Sequence, residues 1–211
     1  MLNVVCVHVG NYCGKGKLYI RRLFDGMDRH LRGPAKYWCI TDNASMVPTG
    51  IAPLEADKNV SGWWNKISLF RPGILPQGER VLYFDLDTII TGDLDDIAEY
   101  RGKSAILKDF YHPQHMNSSV MAWEAGALDH IWLAWDRSGR PQFDPRGDQR
   151  FIEAMQPKAD SWQDMLPGQI VSYKVDCQQG VPKDARVVCF HGRPRPHEID
   201  FTLPQTERNK A

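Results

Sequence analysis

Asp85 and Asp87 stand two positions apart at the end of an apolar run, Val81 to Phe84. Side chains alternate faces along a strand, so the two carboxylates can face one way while Leu86 anchors the segment from the other face. Two ionised acids side by side in apolar surroundings repel each other and lose hydration, which is costly unless a cation sits between them. A divalent metal is the simplest such cation. In an open α/β sheet, ligands bind beyond the carboxyl ends of the strands, and this pair falls there. A plain turn is the alternative, because TGDLDD follows. Turn chemistry, however, does not account for an Asp on each side of Leu86. Asp93, Asp95 and Asp96 read as solvated turn or helix-cap residues.

Other segments carry polar chemistry. In VVCFHGRPRPHE (187–198) a strand delivers His191, Gly192 opens the backbone, and Arg193 and Arg195 follow. A histidine can complete a metal site and arginines can fork onto phosphate oxygens; a packed histidine and a solvated tail are the plainer readings. Asn117, Ser118 and Ser119 lead into an apolar strand and suit either sugar hydroxyls or an ordinary polar turn. Asp148 and Gln149, in RGDQRF, suit a hydroxylated ligand or a helix cap. Lys66 is placed to reach a phosphate or to be a surface charge. Trp63 and Trp64 suit a sugar platform, but their helical spacing with Ile67 and Phe70 makes one of them core. His8, His30, His112, His115, His130 and His197 show no usable spacing.

These groups need a scaffold. LNVVCVHV (2–9) is a continuous apolar run, as expected of a strand buried on both faces. Residues 18–31 place Leu18, Leu23, Phe24, Met27 and Leu31 near one helical face. KYWCITD (36–42) is a second strand, which makes a βαβ unit and a parallel sheet. Residues 43–60 read as irregular. SGWWNKISLF (61–70) reads as a helix capped by Ser61 and stopped at Pro72-Gly73. Strands are expected over 81–90, 103–109, 118–123, 168–175 and 185–190. Helices are expected over 124–137, with Leu128, Ile131, Trp132 and Trp135 inward, and from about Asp148. The reading is one α/β domain over 1–197 and a polar tail over 198–211, with neither repeat nor low-complexity block.

The chain has 211 residues, 42% of them hydrophobic, which suffices for one medium domain with a real core. With 26 basic and 26 acidic residues the formal charge is zero, so no nucleic-acid partner is expected. The five cysteines (Cys6, Cys13, Cys39, Cys177, Cys189) form no CxxC pair and several lie in apolar runs. They read as buried thiols of a reducing compartment. No basic region precedes a long apolar stretch at the N-terminus, so no signal peptide is expected. No apolar run approaches the roughly 20 residues that span a bilayer. A cytoplasmic protein, compatible with peripheral membrane contact, is the expectation.

Taken in order, these segments resemble the GT-A glycosyltransferases, nearest to the family 8 enzymes, which use a nucleotide-sugar donor and retain anomeric configuration. Asn11-Tyr12 looks like that family's nucleotide-contacting loop. Lys66 falls at its basic donor contact, where arginine is commoner. LYFDLD (82–87) looks like its aspartate-x-aspartate metal motif. MNSSVM (116–121) is similar to its asparagine-serine-glycine-valine-methionine segment, with Ser119 for the glycine. GDQ (147–149) is similar to its aspartate-glutamine pair on the sugar, and HGRPRPH (191–197) to its late histidine-glycine-basic-proline motif. In the family, two residues usually separate that histidine from the glycine; here His191 and Gly192 are adjacent.

The resemblance covers about residues 2–197. It implies a single GT-A type, Rossmann-like domain with a mixed, mostly parallel central sheet flanked by helices. It further implies Asp85 on the donor ribose and metal, and Asp87 and His191 on Mn²⁺ or Mg²⁺. Lys66, Gly192, Arg193 and Arg195 would lie on the diphosphate. Asn117, Ser118, Ser119, Asp148 and Gln149 would lie around the sugar, with Gln149 nearest the reacting carbon. The implied donor is UDP-linked; the acceptor, a glycan, lipid or protein, is left open.

Two rival readings use the same residues. FDLDT (84–88) also fits the Asp-x-Asp-x-Thr motif of haloacid-dehalogenase phosphohydrolases, with Asp85 as nucleophile and Asp87 as acid/base. That motif normally lies close to the N-terminus, whereas here a βαβ unit precedes it. A non-catalytic nucleotide- or carbohydrate-binding module on the same sheet is the other.

Overall fold

A computed structural model describes residues 1–12, 14–144 and 147–199. In chain order the elements are β1 (Leu2–His8), α1 (Gly16–His30), β2 (Ala35–Thr41), β3 (Ala52–Glu55), a 3₁₀ helix (Gly62–Phe70), β4 (Arg80–Phe84), β5 (Thr88–Ile90) and α2 (Asp95–Ala98). There follow β6 (Ser104–Lys108), β7 (Met116–Glu124), α3 (Asp129–Arg137), α4 (Asp148–Met155), β8 (Asp160–Ser161), α5 (Trp162–Met165), β9 (Ile170–Ser172), α6 (Tyr173–Asp176) and β10 (Val187–Cys189). The main sheet has seven strands in the order β3-β2-β1-β4-β7-β6-β8, and β5-β10-β9 form a second, smaller sheet. Within the main sheet only β7 runs against its neighbours. This is the mixed, mostly parallel α/β architecture expected.

Burial on both faces explains the apolar strands. Val4, Cys6, Leu82 and Phe84 pack with Ile20, Leu23, Phe24 and Met27 of α1. Val5, Val81 and Tyr83 point the other way and pack with Trp64, Ile67 and Phe70 of the 3₁₀ helix and with Ile131 and Trp135 of α3. Cys6, Cys39, Cys177 and Cys189 are buried and unbridged; Cys13 lies outside the described residues.

The structure corrects several sequence expectations. Residues 81–90 are not one strand: β4 ends at Phe84, a turn closes with Thr88 N–H on the Asp85 carbonyl at 3.0 Å, and β5 joins the other sheet. Residues 43–60, read as irregular, contain β3, which finds a parallel partner in β2. Leu18 is 47% exposed, because Tyr19 and Ile20 take the inward positions of α1. Ser61 does not cap the 3₁₀ helix with its side chain. Its N–H and hydroxyl donate instead to Gln142 Oε1 at 2.7 and 3.0 Å. The helix expected over 124–137 starts only at Asp129, because β7 runs through Glu124 and Gly126 turns the chain at φ +96°. Of the expected tail, Glu198 is tied to Arg193 at 3.0 Å, and 200–211 lie outside the described residues.

Candidate active site

Three strand ends meet at one edge of the main sheet. The carboxyl ends of the parallel β1 and β4 lie beside the start of the antiparallel β7, where Asp85 N–H donates to the Ser119 carbonyl at 2.8 Å. The small sheet brings in the late segment: β10 pairs with β5, and Phe190 N–H donates to the Asp87 carbonyl at 3.1 Å. Residues from four distant stretches of sequence thus converge on the turn that holds the two acids.

The side chains form a charged row with the acid pair at its centre and a cation on either side. Lys66 Nζ lies 2.9 Å from Asp85 Oδ1, 3.6 Å from Asp148 Oδ2 and 3.0 Å from Ser118 Oγ. Asp85 also accepts from the Tyr83 hydroxyl, and Lys66 stands 5.4 Å from that ring's centre. On the far side, Asp87 Oδ2 accepts from the Tyr12 hydroxyl at 2.9 Å and faces Arg195 Nη1 at 3.3 Å. Arg195 also donates to the Tyr12 hydroxyl and lies 4.6 Å above its ring. Among the described residues the sequence Asp148–Lys66–Asp85, then Asp87–Arg195, sets three acids against two cations.

The protonation shifts follow from that imbalance. Burial and the neighbouring Asp85 carboxylate push Asp87 up to about 7, against the pull of Tyr12, Arg195 and Lys66. Burial also raises Asp148, which Lys66 opposes. For Lys66, burial disfavours the charge, but the Asp148 and Asp85 carboxylates outweigh it and the ammonium is held above its ordinary range. Burial and Asp87 raise Tyr12, which stays a neutral donor.

Most of the residues expected at the site are in this row or touch it. Gln149 Oε1 accepts from Ser118 N–H at 3.4 Å, and Ser118 Oγ lies 3.5 Å from Asp148 Oδ2. Asn117 turns its Oδ1 to Ser119 N–H, and both residues are buried in β7. Others stand apart. Asn11 is exposed. Arg193 is exposed and paired with Glu198, and Gly192 turns at φ +76°. His191 Nε2 is 2.6 Å from Ser172 Oγ, and its ring stacks on Phe110 with centres 5.5 Å apart. Burial and then Lys174 keep His191 neutral by lowering its pKa.

Among the described residues no group of three His, Cys, Asp or Glu side chains could hold a metal ion. The donor set still fits a hard divalent cation that arrives with its substrate. Such ions are commonly held by one or two carboxylates plus phosphate oxygens, and Asp85 and Asp87 are two neighbouring carboxylates, each paired with a cation on its outer side.

Sequence reasoning passed over three participants. Tyr83 carries only an apolar strand signal yet orients Asp85. Lys174 reaches the Gly192 turn: a Cβ on Gly192 would stand 3.3 Å from its Nζ. His8 ends β1 only 2% exposed, with both ring nitrogens buried and without a protein hydrogen-bond partner. Its ring fills the space a side chain at Gly16 would need, since a Cβ there would lie 1.8 Å from Nε2. No spacing rule could have singled it out. Burial lowers its pKa from 6.5. The unfolded chain therefore takes up a proton that folded His8 refuses, and stability contributed above that pH drains as pH falls through it. Denaturant titrations at pH 7.5 and 5.5 are expected to show a larger acid loss for the wild type than for His8→Phe. Equal losses would show that His8 is not the group responsible.

Set against known proteins, the chain matches no family model and no curated protein sequence. Its fold is that of solved glycosyltransferase structures. The apo form of the glycosyltransferase GlyE of Streptococcus pneumoniae TIGR4 superposes with a TM-score of 0.66 at 15% identity, over 97% of this chain and 57% of that one. A second structure of GlyE gives 0.65 at 14% identity with the same coverage. The chain thus spans 57% of the length of those proteins, and the likeness is one of fold.

Proposed function

We propose that the chain is a metal-dependent glycosyltransferase that moves a sugar from a UDP-linked donor to an acceptor hydroxyl with retention of configuration, as the family 8 enzymes it resembles do. The observation that carries this reading is the charge row at the carboxyl end of β4, which among the described residues sets three acids against two cations on a glycosyltransferase fold. A buried site short of positive charge suits a ligand that brings a divalent cation with it.

In this reading Asp85 and Asp87 hold Mn²⁺ or Mg²⁺, and Asp85 also meets the donor ribose beside Asn11 and Tyr12. Asp85, Asp87 and His191 do not form one metal-holding group as the side chains stand, so His191, assigned as a third ligand, takes that role only by leaving the Ser172 hydroxyl and moving toward the acids. Oxygen ligands suit these hard ions and a ring nitrogen favours manganese. The cation, when bound, offsets charge building on the departing diphosphate. Lys66 and Arg195 add fixed positive charge from either side of the acid pair, with Arg193 and Gly192 closing on the phosphates. Asp148, Gln149, Asn117, Ser118 and Ser119 orient the sugar. The acceptor oxygen bonds to the anomeric carbon on the leaving-group face as the carbon–phosphate-oxygen bond breaks. The bonding pair leaves with the diphosphate, whose oxygen takes the hydroxyl proton. Gln149 stands nearest that carbon.

Among the described residues no helix is long and apolar enough to cross a membrane. The buried, unbridged cysteines support a reducing, cytoplasmic setting.

A panel of nucleotide sugars assayed for nucleoside diphosphate release, with and without Mn²⁺, tests the proposal. Release from a UDP-sugar only with the metal is expected. Hydrolysis of a generic phosphate ester instead would favour the phosphohydrolase reading. Tight diphosphate binding without turnover of any donor would favour a binding module.

A further inference from the structure

Of the seven tryptophans, Trp63 alone is exposed, at 68%, whereas its neighbour Trp64 is buried in the core. Trp63 does not stand on an arbitrary surface. In a 3₁₀ helix residues three apart eclipse one another. The indole therefore continues outward the face that carries Lys66, whose ammonium is bonded to Asp85, Asp148 and Ser118. The indole also lies on Gly147, the residue before Asp148: a Cβ there would stand 2.7 Å from Trp63 Nε1 and 3.0 Å from Cδ1. Gly147 has φ +64°, so bare, left-handed backbone lets the ring come this close to the start of α4.

The rim beside it is braced. Gln142 accepts from the Ser61 N–H and hydroxyl and donates to the Asn59 carbonyl at 3.0 Å, and Arg140 Nη1 pairs with Asp57 Oδ2 at 2.8 Å. Phe143, which follows Gln142, is 87% exposed. Two exposed aromatic rings thus ride on segments bonded to each other, and one of them, Trp63, stands against the residue before Asp148. A flat indole next in space to the start of α4, where Asp148 and Gln149 follow Gly147, offers a pyranose an apolar face for its C–H side and polar groups nearby for its hydroxyls.

We propose that Trp63 is the platform of an acceptor subsite for a carbohydrate, stacking a pyranose ring so that one of its hydroxyls faces Asp148 and Gln149. The acceptor is then a glycoside or glycan rather than a protein side chain or a simple lipid alcohol. This rests on the transferase reading and adds its acceptor class. The transfer is the one written above, with the acceptor oxygen coming from the stacked sugar.

The test is saturation-transfer NMR with methyl glucoside, galactoside, mannoside and N-acetylglucosaminide and the disaccharides lactose and maltose. It uses wild type, Trp63→Phe and Trp63→Ala, each with UDP and Mn²⁺ present. At least one glycoside is expected to bind the wild type, to bind Trp63→Phe nearly as well, and to bind Trp63→Ala about tenfold or more weakly. The thermal shift given by UDP with Mn²⁺ should be the same in all three. Unchanged glycoside binding in Trp63→Ala, or no binding of any sugar to the wild type, overturns the platform. Absence of a UDP shift in every protein, with glycoside binding still dependent on Trp63, would instead overturn the nucleotide-sugar reading and leave the platform standing.

Discussion

Asp87→Ala is expected to lower metal-dependent release of nucleoside diphosphate by on the order of 10²–10³ or more while leaving the fold intact. The rate loss follows from the role assigned to the carboxylate, one of the three protein ligands proposed for the metal at the point where the diphosphate gathers charge. The intact fold follows from the geometry. Asp87 is buried, and burial together with Asp85 holds its pKa up at about 7, so its ionised form strains the folded state. Removing it relieves that repulsion. Arg195 loses one partner but keeps the Tyr12 hydroxyl and ring. The melting temperature should therefore equal or exceed that of the wild type. A variant that turns over normally would contradict the metal role. One that unfolds would contradict the electrostatic account of the turn.

Lys66→Met is expected to do the reverse, costing both activity and stability. Lys66 is nearly sealed from solvent between Asp85 and Asp148, and each carboxylate depends on it. Methionine keeps the length and apolar stem but leaves two acids facing each other across a buried gap. Breaking a buried pair by removing one partner costs about 3–5 kcal/mol, a large share of the roughly 5–15 kcal/mol that holds a typical domain. Urea denaturation at neutral pH should show a loss in that range. The loss should shrink in acid, where the orphaned carboxylates take up protons. A loss under about 1 kcal/mol, the range of exposed pairs, would mean that Lys66 is solvated rather than locked. Comparing the two variants separates the proposed roles: Asp87 is expected to matter for ligand binding with little structural burden, and Lys66 for both.

The elements that position this row were largely legible before the structure. Continuous apolar runs announced β1 and β4, the spacing within 18–31 announced α1, and the acid pair flagged the edge where the charged side chains gather. What stayed hidden depends on long-range pairing. Nothing in 81–90 says that the chain leaves one sheet at Asp85 and enters another at Thr88, because Val81–Phe84 and Thr88–Ile90 both read as buried strand. The same switch aims Asp87 at Tyr12 and Arg195 while Asp85 stays on the Tyr83 and Lys66 side. Lys66 shows the converse case: its surface-charge reading fails because Asp85 and Asp148, distant in sequence, close around it. His191 was singled out for its place at a strand end. The partner it takes in this structure, Ser172, comes from β9, a parallel neighbour of β10 that no motif reveals. Ser61 looked like a cap and is a bracket for Gln142, because the loop before α4 folds back over the 3₁₀ helix.

Calorimetric titration of UDP into the protein, with saturating Mn²⁺ and again with the metal chelated, tests most directly whether neighbouring acids hold a diphosphate through a divalent ion. The account predicts saturable one-to-one binding with Mn²⁺ that falls by at least about tenfold in affinity when the metal is removed. Binding of equal strength with and without the cation would contradict it.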